Sequence, residues 1–160
     1  MATLAMDHDE AEGRVFDLCY PERLILWSIR RWLENPCDQS AIEQALWSAC
    51  GIVEIEAALQ GLCGLCTVLA RQSRNIFYLH RPECPCLSSD ERTVLALIAA
   101  HQAGDAEQAW WLAGWLVPAD ALDVLMAHVA MLAGALRRRN HVLPVRELGS
   151  AAPFAPRGRA

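Results

Sequence analysis

The sequence predicts an all-α fold: a single-domain bundle of about five helices with one long cysteine- and proline-containing loop and flexible termini. Three observations carry this. Apolar residues recur at three- and four-residue spacing over several long stretches. Helix signals punctuate those stretches: Ser40 with Glu43 and Ser88 with Glu91 have capping-box spacing, while Asn35-Pro36 and Gly104 supply stops. No segment alternates polar and apolar residues strongly enough for a strand, residues 75–79 being the one short candidate.

The first helix is expected from Pro21, since proline tolerates the first helical position and Glu22 suits the positive end of the dipole. Leu24, Ile25, Trp27, Ile29, Trp32 and Leu33 form its apolar run, which Asn35-Pro36 ends. The second helix starts at Ser40 and runs to about Ser73, with Gly51, Gly61 and Gly64 marking either a break or a close approach by another helix. Residues 74–88 hold two prolines and read as a connection, long enough to be functional or tied down. The third helix follows Ser88 and ends at Gly104. Asp105 caps the fourth, with Gln108 in the capping-box place. The fifth starts at Pro118 or Asp120 and runs to Leu136, where Arg137, Arg138 and Arg139 complement its negative end and Asn140 suits the position just beyond. Residues 1–14 read as a disordered acidic arm, 15–143 as the helical domain and 144–160 as a flexible basic tail.

Composition narrows the chemistry. The chain has 160 residues, 54% hydrophobic and 21% charged, which suits one domain with a real core. Six Trp outnumber all other aromatics together and are expected to dominate that core. Every one of the 14 basic residues is Arg, as in chains from GC-rich bacterial genomes, so lysine-dependent chemistry is excluded: no P-loop lysine, no Schiff base and no lysine general base. Residues 1–136 have a net charge of −10 and residues 137–160 of +5. An acidic body argues against nucleic-acid binding, while the basic tail suits an acidic partner. The acidic start lacks the charge and apolar core of a signal peptide. Uninterrupted apolar runs reach only about 10–14 residues, so no membrane span is expected and the chain is read as cytoplasmic.

Seven cysteines in a cytoplasmic chain point to metal binding, redox chemistry or packing rather than a disulfide framework. Cys63, Cys66, His80, Cys84 and Cys86 fall close together in sequence. Cys63 and Cys66 lie about 60° apart on one helix face, whereas Cys50 lies about 160° from Cys66 and reads as core, as do Cys19 and Cys37. From Cys66 the helix runs about 12 Å further, and the return to Cys84 has an extended reach of about 33 Å, so the loop is long enough to fold back. Four thiolates, or three with His80, would complete a tetrahedral zinc site. An iron–sulfur cluster is the alternative for four cysteines. A redox dithiol is a third, weakened at Cys63/Cys66 by their place deep inside a helix, away from its positive end. Plain packing of small apolar side chains stands beside all three. The run His80-x3-Cys84-x-Cys86 resembles the H-x3-C-x2-C signature of zinc-binding anti-sigma factors but is one residue short, and nothing is carried over from it.

Elsewhere, Asp7-His8-Asp9-Glu10 reads as a solvated arm rather than a hard-metal site, and His101 and His128 as core or boundary residues. Of Trp110, Trp111 and Trp115, one or two are expected in the core and the remaining ring as an anchor for a partner. No nucleophile elbow, nucleotide-binding glycine motif, zinc-protease motif or catalytic carboxylate pair is present. The expected function is therefore that of a small bacterial regulatory or adaptor protein acting through a protein partner, with or without a structural Zn2+. Its alternative is a redox or iron–sulfur sensor or electron carrier.

Overall fold

The computed structural model describes residues 13–146. The five α-helices among them are α1 (Tyr20–Glu34), α2 (Ser40–Gln72), α3 (Ser89–Ala103), α4 (Ala106–Leu116) and α5 (Leu122–Arg138). Single turns of 3-10 helix precede α1 (Val15–Asp17) and α5 (Ala119–Ala121). As expected of an all-α fold, no strand forms among the described residues, the short candidate at residues 75–79 included; they hold one isolated antiparallel bridge, between Arg14 and Cys86.

Local signals explain most boundaries. At α3, the Ser88 hydroxyl accepts from the Glu91 N–H at 3.1 Å and the Glu91 carboxylate accepts from the Ser88 N–H at 2.8 Å. Gly104 ends α3 in the left-handed region, at φ 78°. Asp105 caps α4 by accepting from the Gln108 N–H at 3.1 Å. Asn140 follows α5 at φ 60°, a conformation Asn tolerates. The capping box expected at Ser40 does not form. Helical pairing already begins at Gln39, whose carbonyl accepts from the Glu43 N–H, and the Ser40 hydroxyl donates to Asp38 instead.

The core is aliphatic. Ile25, Ile42, Leu46, Leu62, Leu65, Leu97, Ile98, Leu112, Leu125 and Leu132 are sealed from water, each worth about 1.5–3 kcal/mol of transfer free energy. The expectation of a tryptophan-dominated core is corrected: only Trp32 is buried, Trp27 and Trp115 are partly covered, and Trp47, Trp110 and Trp111 are exposed. A wide indole fills a five-helix core poorly when leucines already interdigitate at this density.

Helix α5 packs along α2 more extensively than any other pair of elements. Two glycines permit it. A Cβ on Gly61 would stand 2.6 Å from the Leu132 backbone nitrogen, and one on Gly64 would collide with the His128 ring. Together α2 and α5 form the centre of the bundle. Both the α2 span and the stretch Ala119–Arg138 are long and apolar enough, by length and composition, to cross a membrane. Counting strict apolar runs hides this, because Gly, Gln and His break the runs while the window average stays apolar.

Both ends of the described chain are tied down. Gly13 and Val15 bond to the loop before α3, through Val15 N–H to the Pro85 carbonyl at 2.9 Å and Leu87 N–H to the Gly13 carbonyl at 3.2 Å. Buried Gln102 donates to the Ala133 and His141 carbonyls and accepts from the Leu143 N–H at 2.8 Å, holding the segment after α5. Arg146 forms a bidentate pair with buried Glu22 at 2.8 Å. Arg14, expected in the N-terminal arm, and residues 144–146, expected in the tail, thus belong to the ordered body. Residues 1–12, with Asp7-His8-Asp9-Glu10, and 147–160 lie outside the described residues.

Candidate functional site

Two places combine exposed, chemically distinctive side chains with an unusually well-fixed backbone: the loop carrying Cys84 and Cys86, and the bend of α2 at Gly51.

The loop hangs on Arg30. This arginine lies on α1 four residues after Leu26, where helical spacing calls for an apolar residue, and its side chain is only 1% exposed. Its guanidinium donates to both oxygens of Glu91, at 2.7 and 2.9 Å. It also donates to the carbonyls of Arg81 (3.2 Å), Cys84 (2.8 Å) and Cys86 (2.6 Å). Glu91 in turn accepts from the His80 N–H at 3.0 Å besides capping α3. A single buried ion pair therefore supplies the partners that the backbone of a proline-rich loop cannot find in itself. Asp90 and Ser88 fix the loop's first half, accepting from the Tyr78 N–H and donating to the Tyr78 carbonyl, both at 2.7 Å.

On this frame Cys84 and Cys86 flank Pro85, and both thiols are partly exposed. They lie close enough to perturb one another. Hydrogen bonding to the Cys84 sulfur, then burial, raises the Cys86 thiol pKa, while Arg14 and Arg30 oppose the rise. His80 is half-buried, and its backbone N–H is committed to Glu91.

The other two expected ligands lie elsewhere. Cys66 is fully buried, and burial raises its thiol far above the ordinary value. Cys63 is partly covered near Gln39 and Trp32; its thiol lies 3.5 Å from the Gln39 side-chain oxygen. Burial raises its pKa, and the nearby indole opposes this without a hydrogen bond of normal geometry. Among the described residues, no three of His, Cys, Asp and Glu are grouped so as to hold a metal ion. The grouping expected of Cys63, Cys66, His80, Cys84 and Cys86 thus resolves into two separate cysteine pairs. The reason lies in α1. Arg30, which holds the loop, and Trp32, beside Cys63, are two residues apart and so project about 160° apart around the helix. The remaining cysteines also divide: Cys50 is buried as expected, Cys19 is half-buried, and Cys37, expected in the core, is exposed in the α1–α2 turn.

At the second place α2 bends. Gly51 has φ 69° and ψ 176°, outside any helical conformation. The C-terminal end of α5 braces the bend. The His141 ring contacts the Ala49 carbonyl at 3.0 Å, Arg138 grips Glu54 through two bonds of 2.8 and 2.7 Å, and the Arg139 guanidinium lies over Gly51. The three consecutive arginines do more than complement a dipole. Arg137 donates to the Gln102 carbonyl of α3, whereas Arg138 and Arg139 engage α2. Around the bend Trp47, Ile52 and Val53 are 55%, 77% and 82% exposed. Glu43 and Glu56 are exposed beside them. Sequence reasoning passed over this face because Val53 falls on the apolar spacing of Leu46 and Ala49 and so reads as core, whereas it is exposed just after the bend.

Comparison with known protein families, curated proteins and solved structures finds no match to this chain.

Proposed function

We propose that this chain is an adaptor that works by docking a protein partner against the bend of α2. The observation that carries the reading is the exposure of Trp47, Ile52 and Val53 within seven residues of chain. Large apolar side chains grouped in water are costly for a monomer and mark interaction sites, and an indole with adjacent aliphatics is a typical anchor set. The face is also pre-organised. Arg138 at the end of α5, with Arg139 and His141 just beyond it, braces the face, so little ordering entropy remains to be lost on binding. Its acidic rim, Glu43 and Glu56, selects a partner that carries basic residues around an apolar anchor. Neither a structural zinc nor an iron–sulfur cluster is needed for this reading, and the separation of the two cysteine pairs lends neither any support.

The test replaces Val53 with Asp, a change at an exposed position that leaves the core intact. Photo-crosslinking from position 47 in the natural host should give a discrete adduct that Val53→Asp removes while circular dichroism stays unchanged. Equal adduct yield from both proteins would refute the reading. An adduct of twice the chain mass would identify the partner as a second copy.

A further inference from the structure

The five-helix scaffold spends a buried arginine, a buried glutamate and an N-terminal strap on fixing one short segment, Cys84-Pro85-Cys86. The carbonyls of both cysteines end on the Arg30 guanidinium. The Pro85 carbonyl and the Leu87 N–H are held by Val15 and Gly13. The Cys84 N–H closes a turn onto the Arg81 carbonyl at 3.0 Å. The fixed backbone holds two partly exposed thiols, with one residue between them in the chain, near enough to influence one another. Both thiols are partly exposed, so an external disulfide can reach them. The chain's other pair, Cys63 and Cys66, lacks these features: Cys66 is sealed in the core and is chemically inert there.

We propose that Cys84 and Cys86 form a redox-active dithiol that exchanges with an external disulfide and closes an intramolecular bridge. Its substrate class is a low-molecular-weight or protein disulfide, R–S–S–R. The Cys84 thiolate attacks one sulfur of that disulfide. The external S–S bond breaks, a mixed disulfide forms on Cys84, and one thiolate leaves. Cys86 then loses its proton to solvent and attacks the Cys84 sulfur. This forms the Cys84–Cys86 bond and releases the second thiolate, and the two released thiolates take up protons. The protein gives up two electrons and two protons, and the disulfide becomes two thiols. Cys84 attacks and Cys86 resolves in this scheme, and the two serine variants below test that order. A bridge across a single intervening residue closes a small, strained ring, and strain makes disulfides easily reduced. The bridge therefore reverses in the presence of a reduced thiol pool. This inference is independent of the docking face, since it uses a different part of the surface.

The test equilibrates the reduced full-length protein with mixtures of reduced and oxidised glutathione, alkylates free thiols, and reads mass. Residues 75–92 form a tryptic peptide whose only cysteines are Cys84 and Cys86. That peptide should lose both alkylation sites together, with an internal bridge and no adduct, and regain them in excess reduced glutathione. Cys86→Ser should stop at one glutathione adduct on Cys84, and Cys84→Ser should react at least about tenfold more slowly. Full alkylation of the peptide under conditions that modify exposed Cys37 would overturn the proposal. So would a stable adduct on the unmutated peptide without bridge closure. Equal reaction of the two serine variants would overturn the assignment of attacking and resolving roles.

Discussion

Arg30 Nε stands 2.7 Å from Glu91 Oε1, and the two side chains are 1% and 0% exposed. An ion pair so buried gives little net stability relative to well-packed apolar residues, but breaking it strands a charge. Here it would also strand the Cys84 and Cys86 carbonyls. Arg30→Met is therefore expected to cost about 3–5 kcal/mol in urea denaturation. Glu91 would keep only the N–H donors of His80 and Ser88. The loss should be insensitive to salt, since the pair is sealed from solvent. The double variant Arg30→Met/Glu91→Leu should recover part of it. A cost below about 1 kcal/mol for Arg30→Met would show that the loop does not depend on this anchor.

The contact between α2 and α5 makes a sharper prediction, because the two glycines differ in what an added methyl would meet. At Gly64 the colliding atoms all belong to the His128 ring; at Gly61 they include the backbones of His128 and Leu132. Gly64→Ala should destabilise by about 1–3 kcal/mol alone. In a His128→Ala background it should become neutral or stabilise by up to about 1 kcal/mol, the helix propensity gain of Ala over Gly. Gly61→Ala should destabilise in both backgrounds. Thermal melts of the four combinations at each position decide the matter, and rescue of Gly61→Ala by His128→Ala would contradict the backbone contact.

Gly51 supplies a third prediction. Its φ of 69° with ψ of 176° lies in a region that essentially only glycine occupies. There is room for a methyl group, since the closest atom to an added Cβ is Arg139 Nη2 at 3.6 Å. Any cost of Gly51→Ala is thus conformational, about 1–3 kcal/mol. The same change should weaken partner capture at Val53 by more than it lowers stability, because straightening α2 redirects Ile52 and Val53. Unchanged crosslinking in a destabilised Gly51→Ala protein would separate the bend from the docking face.

These elements also show what the sequence can and cannot disclose. The capping box at Ser88 and Glu91, the stop at Gly104 and the trouble at Gly51 are local, so single residues announce them. The two glycines of the α2–α5 contact were legible as small residues, but not their partner, which lies more than sixty residues away. The cysteines were legible as a cluster along the chain, and reach alone allowed them to meet. What divides them is Arg30, whose role depends on Glu91 arriving from α3. A charged residue at an apolar helix position was the available signal. The tryptophans failed for the opposite reason: size and hydrophobicity favour burial on average, but the spaces between these helices suit leucine.

The pair between Glu22 and Arg146 predicts a pH dependence with a definite sign. Burial pushes the Glu22 carboxyl pKa up, but bonds from Arg146 and the Cys19 N–H outweigh it and leave the value lowered. A carboxyl whose folded pKa lies below its unfolded value, about 4.3, stabilises the fold fully above that value and stops doing so as pH falls through the folded one. Wild-type protein should therefore lose this contribution on acidification below about pH 4. Arg146→Ala removes the opposing cation and leaves the burial, so Glu22 should no longer favour its charged form in the fold. The difference in melting temperature between wild type and Arg146→Ala should be largest near neutral pH and shrink toward about pH 3. Because Arg146 is 48% exposed, added salt should narrow the gap at neutral pH through screening. A difference that stays constant from neutral to acid pH would show that Arg146 acts by packing its stem rather than through the carboxylate.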